Sequence, residues 1–270
     1  MVKKSSALNT ISFCDSHIHT RLCGHATGEM EEYVQAAIRK KLKKIIFLEH
    51  MEEGICSVQG KTWLSEDDFD GYFSEGLRLR TKYEDEIEIG LGVECGYNPD
   101  CSDLLLTRLA GRRWDQIGIS CHFLKIDGMP HHLNMFSRKE VSVQLARLIG
   151  AEKILDRYFT DLTEAVRFLP GTMLCHLDAA LRFLPEVSLS ESHYVLIDTL
   201  LQAVSDNALA IEINSSGFAI RQEQFPNRRI LRMAKSYDIP FVFGSDAHKP
   251  DEVGRYFDII DALLLSEFCP

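Results

Sequence analysis

Short apolar runs alternate with amphipathic stretches along the whole chain, and that alternation predicts an α/β protein. Seven runs read as strands: Ile11 to Cys14, Lys44 to His50, Ile87 to Glu94, Trp114 to His122, Thr172 to His176, Leu209 to Asn214 and Pro240 to Ser245. Helical spacing recurs between them. Met30, Val34, Ala37 and Ile38 mark a first helix, with Glu29, Glu31 and Glu32 at its start and Arg39, Lys40 and Lys41 at its end. That charge order suits the helix dipole. Ser65 with Asp68 reads as a cap opening a helix to about Tyr83, and Asn98-Pro99 opens the next. A long helical pattern fills residues 140–168 with a break at Gly150, and another runs from Ser190 to Ser205. Pro226 introduces a further helix, and Asp251 is expected to cap the last.

Strands that alternate with helices seven times over imply a parallel sheet. No linker, repeat or low-complexity tract divides the chain. The expectation is a tail over residues 1–10 and a single barrel-like domain over 11–270. An irregular segment over residues 125–141 follows strand four, too long for a plain strand-to-helix loop and of a length often found in lids or flaps.

The histidines sort onto the strand ends. His17 and His19 end strand one and, by alternation, share a face with Asp15. His50 ends strand two, Glu94 strand three, His122 strand four and His176 strand five. Asp246 and His248 follow strand seven, and His25 lies in the loop after strand one. In parallel barrels the C-terminal strand ends open onto one face, where the active site is built. Scattered core histidines would not sort this way. Cys95, Cys121 and Cys175 each adjoin one of these residues, so alternation turns them toward the helices as small buried hydrophobes, and Cys14 reads likewise. Cys23 lies near His25 and is within possible reach of a metal. His193 reads as solvated and His131 and His132 as surface residues near the rim, open to a substrate contact. Phe13, Phe47 and Phe241 read as core.

Composition narrows the class. The chain has 270 residues, 45% of them apolar, enough for a sizeable core. Its formal charge of −10 argues against a nucleic-acid-binding face and would repel a phosphorylated substrate unless cations are held locally. Met1 to Thr10 has no apolar signal-peptide core, and no run approaches the ~20 residues of a membrane span. Eight cysteines in a long chain without secretory signals suggest reduced thiols and a cytoplasmic protein.

His17-x-His19, Cys-Gly-His25-Ala, Glu-His50, Gly-Val-Glu94, Cys-His122-Phe, Cys-His176-Leu-Asp, Glu-Ile-Asn214-Ser-Ser-Gly and Gly-Ser-Asp246-Ala-His248-Lys-Pro follow one another in order. From about residue 13 to 256 the chain thereby resembles the PHP (polymerase and histidinol phosphatase) superfamily, most of all its monofunctional histidinol-phosphate phosphatases. The resemblance implies a distorted (β/α)7 barrel with three divalent ions, zinc, iron or manganese, at the C-terminal strand ends. His17, His19, Glu94 and Asp246 would hold one ion; Glu94 would bridge to a second completed by His122 and His176; His25, His50 and His248 would hold the third. Glu94, Asp246 and His248 are the expected catalytic groups. Cys121 and Cys175 depart from the small residues common at their positions, and neither change removes a ligand.

The expected chemistry is hydrolysis of L-histidinol phosphate to L-histidinol and phosphate, a step of histidine biosynthesis. Clustered divalent ions neutralise a phosphate monoester and acidify a bridging water, which attacks phosphorus in line. Arg182 and Arg221 are the guanidinium candidates for the phosphate, each balanced against a solvated surface charge. Asn214 is a candidate rim contact, and Asp15 a candidate to orient His17. Three other readings stay open: a PHP-type phosphatase for another small ester, an amidohydrolase-like hydrolase, and a non-catalytic metal-binding module.

Overall fold

The computed structural model describes residues 13–268, so the expected tail lies outside the described residues. Seven strands form one parallel sheet: β1 (Cys14–Ile18), β2 (Lys44–Glu52), β3 (Glu88–Gly96), β4 (Ile117–Ser120), β7 (Met173–Leu174), β8 (Ala210–Asn214) and β9 (Phe241–Gly244). Between β4 and β7 the chain inserts a small antiparallel hairpin, β5 (Phe123–Leu124) and β6 (Leu133–Asn134). All seven expected strands exist. Ile11 and Ser12 of the expected first strand lie outside the described residues; from Cys14, opposite Lys44, pairing with β2 carries the polar residues Asp15 and His17 inside. The hairpin gives order to part of the segment read as irregular.

The sheet curls until its ends meet. Ile18 bridges Ala247, and the His19 amide donates to the Ala247 carbonyl at 2.9 Å. Below that bridge, the buried Asp15 carboxylate accepts from the amides of Ser245 (2.9 Å) and Gly254 (2.8 Å). The barrel is therefore nearly closed, its seam a single bridge reinforced by a side chain. Asp15 clasps this seam; it does not orient the His17 ring as expected.

Alternation then divides the strands into two cores. Outward residues such as Phe47, Leu91, Ile119, Ile211 and Phe243 pack under the helices. Ile46, Leu48, Met173 and Cys175 fill the barrel floor, with Val242 against them. A narrow lumen needs small partners, so the lumen-facing positions of β3 around Glu94 are glycines. A Cβ on Gly96 would stand 2.0 Å from a Glu52 oxygen.

Helices follow the sequence pattern closely. They are α1 (Met30–Arg39), α2 (Glu66–Lys82), α3 (Ser102–Ala110), α4 (Glu140–Ile149), α5 (Ala151–Phe168), α6 (Glu191–Asp206), α7 (Gly217–Arg221), α8 (Arg228–Ser236) and α9 (Phe257–Phe268). Ser65 and Asp68 make the reciprocal cap of α2. Gly150, at φ 96°, separates α4 from α5, as only glycine adopts that backbone without strain. Asp251 does not cap α9: it lies in a single 3₁₀ turn, Pro250–Glu252. Phe13 is 47% exposed and outside the core, whereas Phe47 is fully buried. Among the described residues no helix is long and apolar enough to cross a membrane.

Candidate metal centre

Glu94, at the end of β3, sits at the centre of the rim, fully buried. Its Oε1 lies 2.8 Å from His176 Nε2 and 3.0 Å from His122 Nε2. Its Oε2 lies 2.8 Å from His50 Nδ1 and 3.5 Å from both His17 Nε2 and His19 Nε2. Asp246 Oδ1 stands 3.4 Å from His19 Nε2 and 3.6 Å from His248 Nδ1. His25 reaches in from the loop after β1, its Nε2 2.9 Å from His248 Nε2. All nine sequence-predicted ligands thus converge on one basin.

Tautomers show what the basin is built to hold. The Nδ1 atoms of His17 and His122 lie 2.8 and 2.7 Å from Glu212 and Glu52 oxygens. Those of His25 and His248 lie 3.2 and 3.0 Å from the carbonyls of Cys23 and Asp246. Carboxylates and carbonyls only accept, so each Nδ1 carries a proton and each Nε2 is the atom turned inward, a free lone pair on His25 and His248, whose charged forms burial disfavours. Two lone pairs 2.9 Å apart, as between His25 and His248, have no hydrogen bond to make. His50 Nδ1 and Glu94 Oε2 are likewise buried with no hydrogen-bond partner despite their close approach. Ligands each ~2.1 Å from a shared cation sit roughly 3 Å from one another, so the donor set fits divalent ions. Sets within 4.8 Å include His17, His19 and Asp246; His17, Glu94 and His176; and His19, His50 and His248. His19 therefore neighbours the third expected set as closely as the first.

Electrostatics agree. Burial opposes charge on Glu94, yet His122, His50 and His17 hold its carboxyl well below the usual range. Burial likewise opposes protonation of His122, but Glu94 and Glu52 push it up to about 10. His17 is raised against its burial by Glu212 and Glu94. Protons on His17 and His122 thus balance part of the buried carboxylate charge, whereas burial disfavours a proton on His19, His25 and His248.

Three carboxylates escaped the sequence reading. Glu212 on β8 binds His17 Nδ1, accepts from the His176 amide at 2.8 Å and from Asn214 Nδ2 at 3.1 Å. Glu52 on β2 fixes His122. Glu49, buried and pushed up to about 8 by that burial, accepts from the Thr20 amide and hydroxyl at 2.8 and 2.5 Å beneath His19. The available signal was a Glu inside an apolar parallel strand, a position that requires a partner.

Other expectations are corrected. Asn214 is fully buried and its amide is committed to Glu212 and Ser216, so it does not reach the open rim. Cys175 faces the barrel floor and not the helices: β7 ends at Leu174, and His176, at φ 25°, turns back over the rim above it. Cys95 and Cys121 do join the outer core. Cys23 is within range of His25 and His248, but burial pushes its thiol up to about 12. His193 is buried, its Nδ1 accepting from the Ser190 amide at 3.0 Å. His132 Nδ1 accepts from the Cys56 amide at 3.1 Å, tying the inserted segment to the loop after β2.

The two arginines differ. Arg182 Nη1 lies 3.4 Å from Asp246 Oδ2 at the basin edge. Arg221 Nη2 donates to the carbonyls of Leu181 (3.1 Å) and Leu184 (2.8 Å), bracing the loop that carries Arg182. Both line an adjoining cavity of about 530 Å³, whose wall also holds Asp178, Tyr194, Glu223 and Asn227.

A PHP domain model matches residues 15–216, which hold seven of the nine candidate ligands, and a PHP-associated model matches residues 224–264, which hold Asp246 and His248. The chain belongs to the PHP domain family. Among PHP relatives, a Deinococcus radiodurans protein described as a probable histidinol-phosphatase is 29% identical over 92% of this chain and 91% of its own length. The Bacillus subtilis histidinol-phosphatase is 24% identical over 90% of this chain and 96% of its own. The fold matches a solved Listeria monocytogenes structure with TM-score 0.79, 21% identity and coverage of 91% and 99%. It also matches the Lactococcus lactis histidinol phosphate phosphatase, solved with zinc, L-histidinol and phosphate, with TM-score 0.74, 19% identity and coverage of 93% and 91%.

Proposed function

We propose that this PHP chain is a phosphomonoesterase that hydrolyses L-histidinol phosphate to L-histidinol and phosphate with three divalent ions. The observation that carries this reading is Glu94, one carboxylate within 3.5 Å of five imidazoles. The relatives' names and the ligands of the L. lactis enzyme support the substrate. Divalent ions bound here would neutralise the phosphate dianion and lower the pKa of water.

The chain's own groups do the rest. The Glu94 and Asp246 carboxylates and the inward Nε2 atoms hold the charge that ions balance. Glu212 and Glu52 keep their histidines in the ligating tautomer. Arg182 offers a guanidinium to the phosphate oxygens from beside Asp246. The leaving alcohol extends past Arg182 into the adjoining cavity, whose mixed lining of arginines with Asp178 and Glu223 suits a substrate carrying both phosphate and ammonium. An amidohydrolase-like reading leaves His25, His50 and His248 without a task, and a non-catalytic module leaves the complete donor set without one.

A panel of phosphomonoesters that includes histidinol phosphate, run with metal analysis, tests the proposal. The expected result is metal-dependent turnover with histidinol phosphate preferred. Metal-dependent turnover that favours another ester would discard the substrate, and bound metal without turnover of any ester would discard the chemistry.

A further inference from the structure

Phe136 lies between the hairpin strand β6 and α4, inside the segment whose sequence is too long for a plain strand-to-helix loop. Its ring centroid is 5.1 Å from that of His122, edge-on, and 5.0 Å from that of His176. On the same ring the Arg182 guanidinium stands 5.2 Å from the centroid, while Phe183 flanks that guanidinium at 5.5 Å. The backbone around Phe136 is stitched on both sides. The Met135 amide donates to the His122 carbonyl at 2.9 Å, and the Met135 carbonyl accepts from the Leu181 amide at 2.9 Å. The Phe136 amide donates to Asn134 Oδ1 at 2.9 Å.

One aromatic ring therefore touches two imidazoles of the basin and the arginine at its edge. A guanidinium over a ring face is attracted by the ring quadrupole, and more strongly where water is thin. Arg182 has a side chain only 15% exposed, and its Nε is buried without a hydrogen-bond partner. Among the described residues its side chain makes one polar contact in the basin, the long one to Asp246, too weak alone to choose a rotamer. The two rings fix the guanidinium plane, and Arg221 fixes the backbone that bears it.

We infer that Phe136 is a positioning residue: it holds Arg182 aimed at Asp246, and so sets affinity for the phosphate group while leaving the ions' ligands in place. The inference rests on the phosphatase reading above, in which Arg182 meets the phosphate. It gives the inserted segment a defined role, since Phe136 is what that segment contributes to the basin wall.

The test uses the metal-loaded full chain, with histidinol phosphate as substrate and inorganic phosphate as competitive inhibitor. Phe136→Leu keeps an apolar side chain but removes the ring. It is expected to raise both KM and the phosphate inhibition constant roughly 3- to 10-fold, the scale of a partly desolvated cation–π contact, with metal content unchanged. Phe136→Tyr, which keeps the ring face, should restore both constants. In an Arg182→Ala background, Phe136→Leu should add less than about 2-fold, since the pair acts as a unit. A full effect of Phe136→Leu in that background, or loss of metal with unchanged phosphate affinity, would overturn the inference. Wild-type constants in Phe136→Leu would overturn it too. A wild-type chain without phosphatase activity would instead sink the functional reading.

Discussion

A carboxylate in the middle of a parallel strand belongs in a core only when donors hold it there, and Glu212 has three: the His17 ring, the His176 amide and the Asn214 amide. Replacing Glu212 by Gln keeps the shape but weakens the acceptor that fixes the His17 tautomer. Metal affinity should fall about 10- to 100-fold in a chelator competition, and an unchanged value would show that His17 needs no such partner. Gly244→Ala should act in the same direction, because its new Cβ would stand 1.9 Å from Glu212 Oε1. Residue identities were legible where a side chain ends a strand: His50, Glu94 and His122 are placed by alternation and topology alone. Alternation failed at Cys175 and His176, where a positive φ reverses which side chain faces the lumen. It placed Asp15 and Asn214 but not their partners, and it passed over Glu49, because those partners are backbone groups or side chains that only the folded barrel brings near.

At the level of elements, helices and strands were readable because each buries one face, and Ser65 and Gly150 marked ends through local backbone chemistry. The hairpin β5–β6 was not readable, since strands of two residues leave no period to detect. Helices α1 and α2 are tied by Glu31, which accepts from Lys82, from Arg78 at 2.6 Å and from Tyr83 at 2.8 Å. Lys82, Arg78 and Tyr83 together draw the Glu31 carboxyl from an ordinary 4.5 to about 2. A depressed folded-state value stabilises above the ordinary one and is lost as pH falls through it. Glu31→Gln should therefore lower the melting temperature slightly at pH 7, with the gap to wild type closing between pH 4.5 and about 2. A gap that persists at pH 2 would assign the tie to packing.

For the whole molecule, the seam between β1 and β9 is the thin place. Asp15→Ala would leave the Ser245 and Gly254 amides without their acceptor, and about 2–5 kcal/mol of stability should be lost in urea unfolding. A loss below 1 kcal/mol would mean the seam is held elsewhere. Metal removal should also destabilise, since ions bind the folded basin and not the open chain, so a chelator should lower the melting temperature. Because His122, held near 10, and His17 carry protons in the metal-free basin, loading must displace them. Apparent metal affinity should rise roughly tenfold per pH unit for each proton displaced over pH 6–9, and an unbuffered titration with metal should release acid. A pH-independent affinity would contradict protonated ligands.

The donors run from His17 to His248, and the last strand of the barrel must pair before Asp246 and His248 can join the others. A chain still emerging from the ribosome therefore has most of its imidazoles made before the barrel can close around them. The sets that include Asp246 or His248 are completed only after the final strand is made, whereas the set of His17, Glu94 and His176 is complete in sequence well before it.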